Sequence, residues 1–81
     1  MAKPSPSHAY DPALTSLGHA IRSRRAKVGL SQEALALQSG LDRSYLGGVE
    51  RGEHNLALVN LIKISSALEV SASELLQMAK L

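Results

Sequence analysis

Side chains with catalytic or metal-binding chemistry are scattered in this sequence of 81 residues. Its three histidines, His8, His19 and His54, stand far apart, and it has no cysteine. It also shows neither a carboxylate pair nor a glycine loop that could cradle a phosphate. We therefore expect a protein that is not an enzyme and that has no metal site and no cofactor. Hydrogen-bonding side chains are concentrated instead in LDRSYLGGVERGEHN, residues 41–55.

The residue types in this segment match the hydrogen-bonding groups of a nucleic acid. Arg43 can donate two parallel hydrogen bonds to guanine O6 and N7, and Ser44 can donate or accept. Tyr45 can stack or reach a phosphate through its hydroxyl, and a half-buried packing role is the alternative. These side chains can act together only if the fold presents them on one surface.

The composition predicts one small domain with an aliphatic core. Hydrophobic residues make up 44% of the chain, but phenylalanine and tryptophan are absent. The sequence has neither the apolar run of a signal peptide nor an 18-residue apolar span, so we expect a cytoplasmic protein without a membrane segment. Residues 1–30 carry five basic side chains and one acid, whereas residues 31–81 carry four basic and six acidic ones. This charge distribution indicates that binding to an anionic partner would depend on a few positioned basic side chains rather than on a general attraction to polyanions.

Helical spacing of apolar residues continues from residue 13 to the end of the chain. Residues 1–12 hold all three prolines and are predicted to be a flexible lead-in, which leaves 13–81 as the domain. Spacings of three and four residues predict a first helix that ends at Gly29. Four more helices follow: QEALALQS up to Gly40, a third after the capping Asp42, LVNLIKISSALE, and a last one opened by the capping box SASE. Since no strand pattern occurs, the predicted fold class is all-α.

The connection between the second and third helices is very short. Only Gly40 and Leu41 precede the cap of the third helix, which is too tight for an antiparallel hairpin and favours the sharp crossing of a helix-turn-helix. In that arrangement the third helix is offered to the major groove of DNA.

Two charges fall on the apolar sides of their helices. Arg25 lies four residues after Ile21, and Glu50 lies four residues after Leu46. Because a lone inward charge is very costly, we predict a bidentate Arg25–Glu50 ion pair that ties the first helix to the third. Two separate solvated charges are the alternative.

The outer face of the third helix is the predicted base-reading surface. If Leu46 and Val49 face inward, their neighbours face mostly toward solvent. The candidates for base reading are Arg43, Ser44, Tyr45, Gly47 and Gly48. Each glycine costs about 1 kcal/mol of helix propensity but lets the helix approach DNA closely. Because a glycine offers no side-chain hydrogen-bond donor, the shape of the DNA must provide part of the sequence specificity. In the alternatives, Arg43 is only solvated and the glycines only relieve crowding between helices.

Phosphate contacts are predicted around this face. The candidates are Gln32, Arg51, His54 and Asn55. Gln32 begins the second helix, where the helix dipole and free N–H groups favour an anion. Three further cations of the first helix, Arg22, Arg24 and Lys27, either add long-range attraction or form a solvated face.

Residues 17–76 resemble the Cro/phage-repressor (XRE) type of helix-turn-helix domain, a compact lambda-repressor-like bundle of five helices. The resemblance lies in LSQEALA, the turn glycine Gly40, VERG, and VSASELL. It implies that the third helix enters the major groove of double-stranded DNA and that Arg25 and Glu50 are the family's buried pair. It also implies that Gln32 touches a phosphate and that Arg43 and Ser44 read bases.

Within this family, the short chain and LDRSYLGGVERG are most similar to the controller proteins of restriction–modification systems. That similarity implies an autoregulatory homodimer, formed through the last helices, which binds paired operator sites near its own promoter. Two dimers on adjacent sites would activate or repress transcription according to occupancy.

The sequence departs from the family pattern at three positions. Ala57 replaces the serine or threonine cap common before the fourth helix, which weakens that helix start. His54 stands where a basic side chain is frequent, so a phosphate contact there would depend on pH. Gly48 stands where phage repressors often carry a base-reading side chain. The correspondence between side chains and bases in those repressors therefore cannot be transferred to this chain.

The fourth and fifth helices hold more apolar residues than one core needs, which favours a two-fold interface. Its candidates are Leu58, Leu61, Leu75, Leu76 and Met78, with Leu81 at the chain end. We expect no small-molecule effector, because no ligand-sensing domain accompanies the helices. The rival hypothesis is a protein-interaction module, such as an antitoxin or a helical adaptor, whose partner binding would be insensitive to salt.

Overall fold

The computed structural model of the protein describes residue 4 and residues 7–81. Within them the chain forms five α-helices and no strand, so the all-α prediction is confirmed. The helices are α1 (Pro12–Lys27), α2 (Gln32–Ser39), α3 (Arg43–Glu50), α4 (Leu58–Ala67) and α5 (Ala72–Met78).

Local capping sets most of the helix ends at the predicted residues. The Ser31 hydroxyl accepts from the Ala34 N–H at 3.0 Å, and Gly40 ends α2 in the left-handed conformation with φ of 71°. Ser71 and Glu74 form the predicted capping box at the start of α5. The residue before α4, Ala57, forms no side-chain cap, as the sequence predicts.

Contacts with the helical bundle begin a few residues earlier in the sequence than the domain boundary predicted at residue 13. Asp11 caps α1 by accepting from the Ala13 N–H at 2.9 Å, and Pro12 is the first helical residue. The Tyr10 N–H donates to the Gly52 carbonyl at 2.6 Å. Of the predicted flexible lead-in, residues 1–3, 5 and 6 lie outside the described residues.

The core is aliphatic and receives side chains from all five helices. Its fully buried apolar members are Ile21, Leu35, Leu46, Ile64, Leu68 and Leu75. The helices α1 and α3 cross very closely at Gly18, where an added Cβ would lie 2.5 Å from the carbonyl oxygens of Val49 and Glu50. This crossing brings the C-terminal half of α1 beside the inner side of α3.

Arg25 and Glu50 form a bidentate ion pair between those two helices. The Nε–Oε2 distance is 2.7 Å and the Nη2–Oε1 distance is 3.1 Å. The Glu50 side chain is only 2% exposed and that of Arg25 only 16%. Arg25 also donates from Nη1 to the Leu30 carbonyl at 3.0 Å, and Gln32 donates from Nε2 to Glu50 Oε1 at 2.9 Å. The buried carboxylate thus joins α1, α2 and α3.

Breaking this pair one partner at a time should be strongly destabilising. We expect Arg25→Ala or Glu50→Ala to lower the free energy of unfolding by about 3–5 kcal/mol, because each leaves a charge buried without its partner. The double variant should lose clearly less than the sum of the two single losses. Urea unfolding followed by circular dichroism measures all three values. Arg22→Ala, at an exposed position of the same helix, is the control and should change stability little. Strict additivity of the two losses would show that the pair is not coupled.

Candidate nucleic-acid interface

The N-terminal end of α3 presents an exposed arginine. Asp42 caps the helix by accepting from the Tyr45 N–H at 3.1 Å, so Arg43 is the first helical residue. Its guanidinium lies 3.4 Å from the Glu33 carboxylate, but both side chains are more than half exposed. Such a pair is worth little in water and leaves Arg43 able to bind a ligand. Ser44, the next residue, is half-buried.

Tyr45 has the half-buried packing role, one of the two roles that the sequence left open. It is half-buried, and its ring stacks on that of His54 with centroids 4.7 Å apart and planes 27° apart. Its hydroxyl accepts a hydrogen bond from Asn60 Nδ2 at 3.2 Å. The tyrosine ring is therefore fixed on one face by the loop after α3 and at its end by α4.

Gly47 and Gly48 are buried, so the prediction that they face mostly toward solvent is wrong. A Cβ added at Gly47 would lie 3.2 Å from Arg51 Nη1 and 3.8 Å from Gln32 Oε1. One added at Gly48 would collide with His54, at 2.4 Å from Nε2. Both glycines relieve crowding, but from polar side chains that fold over the helix rather than from a neighbouring helix.

Gln32 and Arg51 lie on the same side of α3, since both are within 4 Å of the Cβ position at Gly47. Gln32 is oriented by its hydrogen bond to Glu50 at the first position of α2. Because an amide carries two N–H donors, one remains for an anion at this helix start. These two residues, both predicted to contact phosphate, thus lie close together.

Arg51 is paired in the free protein. Its Nε lies 2.5 Å from Glu53 Oε2, and Nη2 donates to Oε1 at 3.3 Å. This hydrogen bond raises the pKa of Arg51 and lowers the pKa of Glu53, so both groups are charged at neutral pH. The Arg51 side chain is still more than half exposed, and a phosphate approaching it competes with the Glu53 carboxylate.

His54 does not lie where the sequence predicts it. It is only 7% exposed, because its ring fills the space above Gly48 and stacks on Tyr45. A direct phosphate contact from this imidazole is therefore incompatible with the structure. The predicted pH dependence of phosphate binding, which required that contact, is not supported either. Asn55, the next residue, is exposed.

The cations of α1 have different positions. Arg24 donates from Nε to the Leu68 carbonyl at 3.0 Å and so binds the C-terminal end of α4. Arg22 and Lys27 are exposed. For these two, long-range attraction to a polyanion and a merely solvated face both remain predictions, whereas Arg24 has a structural role that the sequence did not reveal.

The predicted dimer residues divide between the core and the surface. Leu61 is 7% exposed and Leu75 is 0% exposed, so both belong to the monomer core and their assignment to an exposed interface is wrong. Leu58 is well exposed, and α4 also exposes Val59 and Ile62, which the sequence reasoning missed.

The two remaining dimer candidates belong to α5. Leu76 is half-buried against the core, whereas Met78 is exposed beside α1, in a depression that it shares with His19 and Ala20. The sequence pattern does not identify the buried side of α4 and α5, because apolar residues occur on all sides of both helices. The buried side is set by how the two helices pack on the bundle.

In the part of the chain that the structure describes, no cluster of histidine and carboxylate side chains could hold a metal ion. None of the described helices is long and apolar enough to cross a membrane. Five polar residues on or beside α3 are at least partly exposed, and we define them together as the α3 surface: Gln32, Arg43, Ser44, Tyr45 and Arg51.

The comparisons with known proteins agree with this geometry. Residues 21–75 match a family model described as helix-turn-helix. The chain is 50% identical to the control protein C.MunI of a Mycoplasma species over 52 residues, which cover 64% of this chain and 70% of that protein. It is 48% identical to the control protein C.SmaI of Serratia marcescens over 60 residues, covering 74% and 71% of the two chains.

A solved structure is similar in both sequence and fold. The crystal structure of the restriction-modification controller protein C.AhdI from Aeromonas hydrophila superposes with a TM-score of 0.75 and 53% identity, over 76% of this chain and 94% of that one. The resemblance predicted from LSQEALA and VERG is confirmed. With its five helices, its tight α2–α3 turn and these relatives, the chain belongs to the helix-turn-helix family of transcription regulators.

Proposed function

We propose that the protein is a sequence-specific DNA-binding regulator that controls its own transcription, as a homodimer on paired operator sites near its own promoter. The α3 surface is the observation that carries this proposal. It places an exposed arginine at the N-terminal end of the helix that follows the tight turn. The similarity to several control proteins supports the controller role.

Base reading is assigned to the first turn of α3. Arg43 is exposed and has the donor geometry for guanine O6 and N7, and Ser44 lies beside it. Gly47 and Gly48 contribute no side chain and are covered by neighbouring groups. Few side chains therefore contact base edges directly, and the sequence-dependent shape of the operator supplies the rest of the specificity.

Phosphate contacts are assigned to both sides of that turn. Gln32 approaches one phosphate from the N-terminus of α2, where the helix dipole favours an anion. Arg51 approaches from the C-terminal end of α3 and exchanges Glu53 for phosphate oxygens. These contacts set the register of α3 in the major groove.

The dimer interface is assigned to the exposed apolar face of α4, formed by Leu58, Val59 and Ile62. Three large apolar side chains on one short helix are costly to leave in water, and a second copy related by a two-fold axis covers them. Two α3 surfaces in one dimer then read half-sites about one helical turn apart.

Two arginine variants should separate base reading from phosphate contacts. The probe is a duplex from immediately upstream of the protein's own gene, with a scrambled duplex beside it. Arg43→Ala should weaken binding to the upstream duplex by about 1–3 kcal/mol and relax its sequence preference. Arg51→Ala should weaken both duplexes similarly and reduce the magnitude of the slope of log K against log salt concentration by about 1. Fluorescence anisotropy at several salt concentrations measures both effects.

Lys63→Ala, on α4, is the control in that experiment and should bind like the parent chain. Salt-insensitive binding, or full tolerance of Arg43→Ala, would instead favour a protein-interaction module such as an antitoxin or a helical adaptor.

A charge on the apolar face of α4 should prevent dimerisation. We expect Ile62→Glu to sediment as a monomer at micromolar concentration, where the parent chain sediments as a dimer, because a carboxylate there cannot be buried without a partner. Helix content should be unchanged. Ala13→Glu, at an exposed first-turn position of α1, adds the same charge and should leave the dimer intact. A parent chain that sediments as a monomer would contradict the assigned interface.

A further inference from the structure

The loop after α3 folds back onto the helix that it follows. The Glu53 N–H donates to the Gly48 carbonyl at 2.9 Å, which turns the loop toward α3. The His54 ring then lies directly over Gly48, where a Cβ would be 2.4 Å from Nε2 and 2.8 Å from Cδ2. Only glycine at position 48 leaves room for this ring.

The buried imidazole serves as a packing surface. Its Nε2 atom has no hydrogen-bond partner among the residues that the structure describes, although the side chain is almost fully buried. Burial without a hydrogen bond is unfavourable for a polar atom, so packing contacts must hold the ring in place. The ring stacks on Tyr45, and its Nε2 and Cδ2 atoms lie close over Gly48.

The other end of Tyr45 is held by α4. Asn60 donates from Nδ2 to the tyrosine hydroxyl oxygen at 3.2 Å. A phenolic hydroxyl that accepts a hydrogen bond still has its own proton to donate, and the accepted bond strengthens it as a donor. A tyrosine side chain has two rotatable bonds, so the ring stack and the hydroxyl bond together restrict its position.

We propose that Gly48, His54 and Asn60 are positioning residues that hold Tyr45 so that its hydroxyl donates to a phosphate oxygen of bound DNA. The inference rests on the proposed function, since Tyr45 belongs to the α3 surface. It assigns the tyrosine to the DNA backbone rather than to a base. His54 then supports Tyr45 from inside the protein and does not itself contact DNA.

The geometry also explains why a glycine is retained inside α3. Gly48 costs about 1 kcal/mol of helix propensity relative to alanine, and an alanine there would displace the His54 ring that supports Tyr45. The neighbouring Gly47 differs, because its added Cβ would meet only the ends of the Arg51 and Gln32 side chains. The two adjacent glycines thus form a matched pair for a test.

The first test is a double-mutant cycle on DNA affinity with Tyr45→Phe and Asn60→Ala. The probes are the upstream duplex and the scrambled duplex, the latter at low salt where its binding is measurable. Tyr45→Phe should weaken both duplexes by the same factor, about two- to tenfold, because a phosphate contact is independent of sequence. Asn60→Ala should weaken both duplexes by a smaller factor. The double variant should bind no more weakly than Tyr45→Phe alone, since Asn60 acts through the hydroxyl.

The second test follows the ring itself. The chain has two tyrosines and no tryptophan, so Tyr10→Phe leaves Tyr45 as the sole tyrosine, whose fluorescence can be excited selectively. In that background Gly48→Ala should make Tyr45 fluorescence more accessible to acrylamide quenching, and Gly47→Ala should leave the quenching unchanged. If Gly48→Ala does not fold, the Asn60 cycle still tests the phosphate contact of Tyr45 and its positioning from α4.

Three results would overturn the inference and leave the proposed function standing. They are unchanged DNA affinity of Tyr45→Phe, weakening of the upstream duplex alone, and additive losses in the cycle. If the parent chain prefers neither duplex and binds without salt dependence, the proposed function fails first, and the inference fails with it.

Discussion

The ion pair between Arg25 and Glu50 constrains the rest of the molecule. A carboxylate that is nearly inaccessible to water must be surrounded by donors, and here they come from α1 and from Gln32 of α2. Satisfying that carboxylate sets the rotation of α3 about its own axis, because Glu50 can point only toward Arg25. Arg43 lies about two turns before Glu50 and is exposed at the N-terminal end of α3. The ion pair at the C-terminal end of α3 thus fixes the orientation in which the helix presents its N-terminal end to solvent.

The interface is built from local pieces that depend on that rotation. The cap at Asp42 defines where α3 begins, the left-handed Gly40 sets the angle of the turn, and Gln32 contributes to both the buried pair and the α3 surface. The loop after α3 covers the helix with His54 and pairs Arg51 with Glu53. Consequently the side chains that we propose to face DNA are held in place in the free protein, which would reduce the entropy lost on binding.

Sequence reasoning succeeded where the physical cause is local. Caps and the left-handed glycine are decided within a few residues, so the ends of α2, α3 and α5 were predictable. The partnership of Arg25 and Glu50 was predictable because two charges at apolar positions have few other solutions. Asp11 and Pro12 carried a readable start signal for α1, but the neighbouring prolines suggested a flexible segment instead. Features set by packing between distant segments were not accessible. The fold of His54 over Gly48 requires the path of a loop, and the burial of Leu61 and Leu75 beside an exposed Ile62 requires the orientation of α4 and α5 on the bundle.

The central claim is that the α3 surface recognises a particular DNA sequence near the protein's own promoter. The most direct measurement is a fluorescence anisotropy titration of the parent chain against a duplex from immediately upstream of its gene and against a scrambled duplex, at about 150 mM salt. Non-specific binding should then have a dissociation constant near 10⁻⁴ to 10⁻⁶ M. We predict that the upstream duplex binds at least about a thousandfold more tightly. Equal and weak binding of the two duplexes would contradict autoregulation through this surface.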